Sequence, residues 1–164
     1  HDAIGREQQL ATIQCDFNQP NRFGLSFVNE EGKQEQPVVI HRAISGSLER
    51  FIGVAIEHFA GAFPTWLSPL QVVIVPVREN HNEEAKKIYE MLRENNIRVE
   101  LADSDESLGK RINHAKSQKV PYVIVLGDKE VESQMLTIEG RESKVEMSAE
   151  DFLTKLKEEI QNKK

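Results

Sequence analysis

The sequence predicts an α/β protein in two parts: a strand-rich segment closing on one helix, then a mixed sheet flanked by helices. Three observations predict it. Gln71–Val77 and Tyr122–Leu126 are nearly continuous apolar, β-branched runs, the mark of strands buried on both faces. Around them, apolar residues recur at helical spacing, so strand and helix alternate. Between the parts, Pro64-Thr65-Trp66-Leu67-Ser68-Pro69 carries two prolines, which end a helix and disfavour α geometry just before each ring. A short linker is expected there, with residues 1–68 before the boundary and 69–164 after it.

In the first part, Leu10–Phe17, Leu25–Val28 and Val38–His41 are candidate strands. Asn29-Glu30-Glu31-Gly32 has turn chemistry and predicts a hairpin joining the last two. A helix follows over Ser47–Ala60, with Leu48, Phe51, Ile52, Ala55, Ile56 and Phe59 at helical spacing and Gly61 as C-cap. In the second part, the Gln71–Val77 strand leads to a helix over Asn82–Asn95, which places Ala85, Ile88, Tyr89 and Leu92 on one face. Ile97–Leu101 is a short strand, and Ser107–Gln118 a helix capped by Ser104 or Asp105. After the Tyr122–Leu126 strand, Met135–Ile138 and Lys144–Met147 predict two shorter ones. A last helix starts at Ser148 with Phe152, Leu153, Leu156 and Ile160 inward, and Ser148 and Asp151 form a capping-box pair.

The 164 residues suffice for one domain or two small ones. A formal net charge of −6 argues against broad, sequence-independent nucleic-acid binding, which needs a positive field, and leaves room for a local basic patch. No apolar run approaches the ~20 residues that span a bilayer, so no membrane partner is expected. His1–Leu10 is polar and lacks the apolar stretch of a signal peptide. The single cysteine, Cys15, excludes an intrachain disulfide and fits a reducing, cytoplasmic setting. The chain starts at His1 in mid-pattern and is expected to be a piece of a longer one.

The sharpest constellation is His41-Arg42-Ala43-Ile44-Ser45-Gly46-Ser47-Leu48-Glu49-Arg50-Phe51, where a strand ends in a small-residue turn and a helix begins with an arginine in its first turn. Small side chains admit a ligand close to the backbone, a helix N-terminus favours anions, and a guanidinium there suits phosphate. By itself the pattern is more often a plain strand-to-helix turn with a solvated arginine. His41 follows an apolar strand, where a lone histidine is usually a satisfied residue, and no spacing in the chain completes a metal site around it. His1, His58, His81 and His114 read as surface residues. Gln9 and Gln14 flank a strand-like run and have surface polarity as their plain reading. Lys110, Arg111, Lys116 and Lys119 form a basic stretch that could touch a phosphate backbone, though a solvated helix face is the default. Gly127-Asp128-Lys129-Glu130 ends a buried strand, where open α/β sheets place binding loops; a plain turn is the alternative.

Taken together, these residues resemble a known family. Gly46-Ser47-Leu48-Glu49-Arg50-Phe51 is similar to motif 3 of class II aminoacyl-tRNA synthetases. Pro37–Ile44, with Thr12-Ile13-Gln14 before it and Phe59–Leu67 after it, resembles threonyl-tRNA synthetases in particular. Val120-Pro121-Tyr122 and Gly127–Glu132 resemble the anticodon-binding domain of that family. The resemblance implies the final, antiparallel-sheet segment of a class II catalytic domain over 1–68 and an α/β anticodon-binding domain over 69–164. It implies a ligase that makes threonyl-adenylate from threonine and ATP (with Mg) and passes the threonyl group to tRNA. It casts Arg50 as the catalytic arginine on the ATP triphosphate, Gly46, Ser47 and Gln9 as walls of the nucleotide site, and Gln14 as facing threonine and the tRNA end. It casts His41 as one ligand of a zinc whose other ligands lie outside this chain. The implied partners are threonine, ATP, threonine tRNA and, for the whole enzyme, a second copy in a homodimer; this chain alone is expected to be inactive.

Anticodon contacts are expected at Asp105, Arg111, Asn113 and Glu130, and the second part departs from the family pattern around them. The usual Arg-Asn-Glu-Lys-Ile-Gly run is Ser104-Asp105-Glu106-Ser107-Leu108-Gly109 here, Asn113 replaces an arginine, and Glu139 stands where an arginine is typical. Glu130 is kept. Each lost arginine removes a base or phosphate partner. A divergent free-standing module, binding RNA or a protein partner without catalysis, is therefore the alternative.

Overall fold

A computed structural model describes residues 1–102, 105–141 and 143–164. It divides into two compact units, His1–His58 and Phe59–Lys164. The stretch expected as a linker is hydrogen-bonded within the second unit: Gln71 Nε2 donates to Thr65 O at 2.8 Å, and Thr65 Oγ1 donates to Glu159 Oε2 at 2.9 Å.

The first unit runs β1 (Thr12–Asp16), α1 (Asn18–Arg22), β2 (Phe27–Val28), β3 (Gln34–Glu35), β4 (Val39–Ala43) and α2 (Leu48–His58). The hairpin at Asn29–Gly32 exists, but its second arm is β3 rather than the strand containing His41. That strand, β4, pairs antiparallel with β1 instead, with Gln14 opposite His41 and Thr12 opposite Ala43. Turn chemistry located the reversal, but two-residue arms carry no alternation by which a sequence could show which strand answers it. The sequence reading also missed α1, whose start is held by Asp16: its Oδ1 accepts the Asn18 and Gln19 N–H groups at 2.8 and 3.0 Å. The helix α2 ends at His58, two residues short of the expected Ala60, and the first left-handed residue after it is Ala60 (φ +48), followed by Gly61 (φ +76).

The second unit is a five-stranded mixed sheet in the order β6-β5-β7-β8-β9, built from β5 (Val72–Pro76), β6 (Val99–Leu101), β7 (Tyr122–Leu126), β8 (Leu136–Gly140) and β9 (Lys144–Met147). β6, β5 and β7 are parallel; β8 and β9 extend the sheet antiparallel. The sheet's alternation sorts its two faces. Val72, Ile74, Ile124, Leu126 and Ile138 pack under α3 (Asn82–Glu94) and α6 (Ala149–Gln161), meeting Ile88, Leu92, Phe152 and Leu156. Val73, Val75 and Val123 pack under α4 (Leu108–Ser117) through Ala115. β5 is buried at all five positions, as its β-branched run predicts. Ser148 caps α6: its Oγ accepts the Asp151 N–H at 3.1 Å and donates to Asp151 Oδ2 at 2.7 Å. At α4 the N-cap is Ser107, not Asp105, and Ser104 lies outside the described residues. The Gly127–Glu130 stretch is the start of a short helix, α5 (Asp128–Ser133), rather than a plain turn.

Candidate catalytic segment and nucleic-acid interface

The β1–β4 ladder places Gln14, Asp16 and His41 on one side of the pair, because cross-strand partners share a face. His41 Nε2 lies 3.1 Å from Asp16 Oδ2. The Gln19 and Asn18 backbone N–H groups, and then the His41 imidazole, hold the Asp16 carboxyl below its ordinary range. An ionised Asp16 orients the ring and leaves Nδ1 as its free nitrogen, the arrangement in which a carboxylate supports a metal-binding histidine. Gln14, Asp16, Asn18, Gln19 and His41 line one open hollow. Cys15 also borders it but alternates to the opposite side of the ladder. Among the described residues no cluster of three or more metal-ligating side chains occurs, so His41 could supply only one corner of a metal site.

The Gly46 turn is built for close approach. Gly46 has φ +63, and a Cβ there would lie 2.4 Å from the Leu10 carbonyl oxygen, so only glycine fits. The turn thus holds the chain next to Leu10, the neighbour of the exposed Gln9. Ser47 Oγ donates to Glu49 Oε2 at 2.7 Å and sits 3.4 Å from the Arg50 N–H at the start of α2. Arg50 is exposed, and its guanidinium has no hydrogen bond or ion pair among the described residues, which leaves it free for an outside anion. Arg50 is not among the residues that line the hollow around His41.

In the second unit, the residues singled out fall into different settings. Arg111 is buried rather than part of a solvated face: it is 8% exposed, Nη1 donates to Pro76 O at 2.8 Å, and its Nε has no partner. Asp105 lines the same cleft as Arg111, and Asn113 is exposed on α4. Glu130 has both oxygens engaged: Oε2 accepts the Gly127 N–H at 3.0 Å and Oε1 accepts the Thr137 hydroxyl at 2.6 Å. Burial pushes its carboxyl up, but the Thr137 and Gly127 hydrogen bonds outweigh that and hold it below its ordinary value. Glu139 accepts from Lys116 Nζ at 2.6 Å, and Lys110 pairs with Glu106, so two cations of α4 are neutralised within the unit.

His81 was expected at the surface and is 2% exposed. Its signal was weak in the sequence: it lies in a polar stretch, Arg78–Asn82, whose inward turn only the 3₁₀ segment Glu79–His81 reveals.

The fold and these settings match known proteins in both units. A family model described as "Anticodon binding domain" matches residues 71–159. The chain belongs to the anticodon-binding-domain family. A second model, the tRNA synthetase class II core domain (G, H, P, S and T), matches residues 1–59, ahead of this anticodon-binding domain. Threonine–tRNA ligases are similar over 99% of the chain: those of Caldanaerobacter subterraneus subsp. tengcongensis, Thermotoga neapolitana and Clostridium botulinum are 46%, 47% and 48% identical. The chain spans 26% of the length of these curated relatives. Among solved structures, the RNA binding domain of threonyl-tRNA synthetase from Cryptosporidium parvum Iowa II superposes with a TM-score of 0.86 at 32% identity, over 96% of this chain and 40% of that one. Prolyl-tRNA synthetase from Cryptosporidium parvum shares the fold, with a TM-score of 0.69 over 87% of this chain and 31% of that one at 21% identity. Among the described residues no helix is long and apolar enough to cross a membrane.

Proposed function

We propose that the chain is the motif 3 segment and anticodon-binding domain of a threonine–tRNA ligase, with the functional boundary near residue 68. The observation that carries the reading is the similarity to threonine–tRNA ligases, which covers 99% of the chain and so extends through both units. The whole protein would activate threonine with ATP and Mg, transfer it to tRNA, and work in the cytoplasm as a homodimer. In this reading Arg50 holds the ATP triphosphate and stabilises charge as pyrophosphate leaves. Its lack of an internal partner supports that role. Gly46 and Ser47 shape the nucleotide site, with Gln9 beside it, and Gln14 faces threonine and the tRNA end from the strand opposite His41.

His41 is the candidate zinc ligand, with Asp16 as the carboxylate that orients it. A bound zinc that requires a hydroxyl ligand would separate threonine from isosteric valine, which a hydrophobic pocket cannot do strongly. The donor set in this chain fits one ligand position, and the remaining ligands would come from the rest of the protein. Asp105, Arg111, Asn113 and Glu130 are the candidate anticodon residues. The burial of Arg111 and the double engagement of Glu130 support a part for both in organising the loops around those contacts.

The test is His41→Ala in the full-length protein. Zinc content and threonine-dependent ATP–pyrophosphate exchange should both be lost; unchanged exchange rejects the ligand role. A second reading is a module that binds RNA or a protein partner without catalysis; the pairing of Lys116 with Glu139 removes one cation that the anticodon contacts of a working ligase would use, which sets this chain apart from the family pattern. Absence of pyrophosphate exchange in the unmodified full-length protein, with tRNA binding retained, would select it.

A further inference from the structure

Two loops leave the carboxyl ends of the adjacent parallel strands β5 and β7, and one buried histidine ties them together. His81 Nδ1 accepts the Arg78 backbone N–H at 3.2 Å, which assigns the ring proton to Nε2. Nε2 then donates to Asp128 Oδ1 at 2.9 Å. Arg78 follows β5; Asp128 opens α5 just beyond β7, two residues before Glu130. The second Asp128 oxygen, Oδ2, lies 3.6 Å from Arg78 Nη1. The His81 hydrogen bond is the main cause that holds Asp128 below its ordinary value against the effect of burial, with the charge of Arg78 a lesser one, so the carboxylate is ionised. Its Oδ1 is held by a buried imidazole, and its Oδ2 lies within ion-pairing distance of an exposed guanidinium.

The Arg78 side chain is 71% exposed. An exposed Arg–Asp pair contributes little to stability. Burying an imidazole beside that pair therefore has its effect in geometry: it holds Asp128 at the head of α5 and keeps a negative charge beside the arginine. The carboxyl edge of parallel strands is where open α/β sheets bind their ligands. A planar, permanently charged fork held at that edge is suited to a phosphodiester. On a chain with net charge −6, such a cation must act at one place rather than as part of a general field.

From this geometry we propose that Arg78 contacts an RNA backbone phosphate and that His81, acting through Asp128, is the positioning residue that presents it. The inference rests on the tRNA-binding reading above and names a recognition element within it. Phosphate contacts of this kind set the register of an RNA loop and leave base selection to other residues.

The experiment is a titration of the full-length protein with an anticodon stem-loop of threonine tRNA, repeated over a series of salt concentrations. Arg78→Ala should weaken binding about fivefold and lower the slope of log K against log salt by about 0.7 to 1, the loss of one phosphate contact. His81→Asn keeps an acceptor for the Arg78 N–H and removes the donor to Asp128; it should weaken binding by a similar factor. His81→Gln carries an amide donor out to Asp128 and should restore most of the affinity. An unchanged salt slope in Arg78→Ala overturns the proposal. So does an equal loss of affinity in both His81 variants that follows their Tm. Failure of the unmodified protein to bind the stem-loop overturns the tRNA reading itself, and this inference with it, before any variant is compared.

Discussion

Both units combine strands with helices but bury their apolar residues very differently. Among the described residues, every buried Val, Leu, Ile and Phe lies in the second unit. There α3 and α6 cover one face of the sheet and α4 the other, so each alternate side chain of β5 and β7 finds a partner layer. In the first unit, α2 has a well-formed apolar stripe in Leu48, Phe51, Ile52 and Ile56, yet all four are 44–60% exposed. Ile13 and Ile40, which fall on the face of the β1–β4 pair opposite His41, are likewise open. Contiguous exposed apolar surface of this kind marks an interface. Amphipathic order in a sequence announces that a face will be covered; whether the cover is present is a separate property, and only the second unit has it among the described residues.

The comparison can be broken most sharply by separating the units. A chain of residues 59–164 should unfold in one cooperative thermal transition, whereas residues 1–58 alone should show none and should bind a hydrophobic dye. A cooperative transition in the smaller piece would mean that its apolar face closes on itself.

Next in size are matched aromatic truncations within the present chain. Phe152 is fully buried and meets the Tyr122 ring edge-on at 5.3 Å, so Phe152→Ala should cost about 3–5 kcal/mol in urea unfolding. Phe51→Ala removes a half-exposed ring and should cost less than about 1 kcal/mol. A large loss at Phe51 would show that α2 is covered in solution.

The smallest expected effect is a pH dependence confined to the second unit. Glu130 has its folded value below the ordinary 4.5, so it adds stability that is present above pH 4.5 and is lost as pH falls through that lower folded value. Glu130→Gln should therefore flatten the acid side of a Tm–pH curve below pH 4.5. An unchanged acid limb would show that the Thr137 and Gly127 hydrogen bonds do not favour the ionised form.

Much of the second unit was legible because its signals are local and long enough to repeat. The continuous β5 and β7 runs, the helical faces of α3 and α6, and the Ser148–Asp151 cap all appear where the residue pattern places them. The short helices α1 and α5 were not legible, since five or six residues hold less than two turns of periodicity and are started by tertiary or turn hydrogen bonds such as Asp16 to Gln19. The partner of the hairpin arm was misread for a related reason: β2 and β3 are two residues each, too short to encode a register.

The site divides along the same line. Gly46 could be picked out in the sequence as a position of close approach, and the structure supplies the neighbour, Leu10. His41 could be picked out as a strand-end histidine; its carboxylate partner Asp16 came into reach only through the β1–β4 ladder. Arg111 read as one of several surface cations, and His81 as one of several surface histidines; burial separated both from their look-alikes.

What the sequence determined by itself was the alternation of the longer strands and helices, the Ser148 cap of α6 and the small-residue turn, because each depends on side chains a few positions apart. What only the tertiary structure decided was which strand pairs with which, which charged groups are consumed by internal partners, and which polar residue is buried. Those depend on residues that the chain brings together from 25 to 47 positions apart, as at His41–Asp16 and His81–Asp128, and no local pattern records such distances.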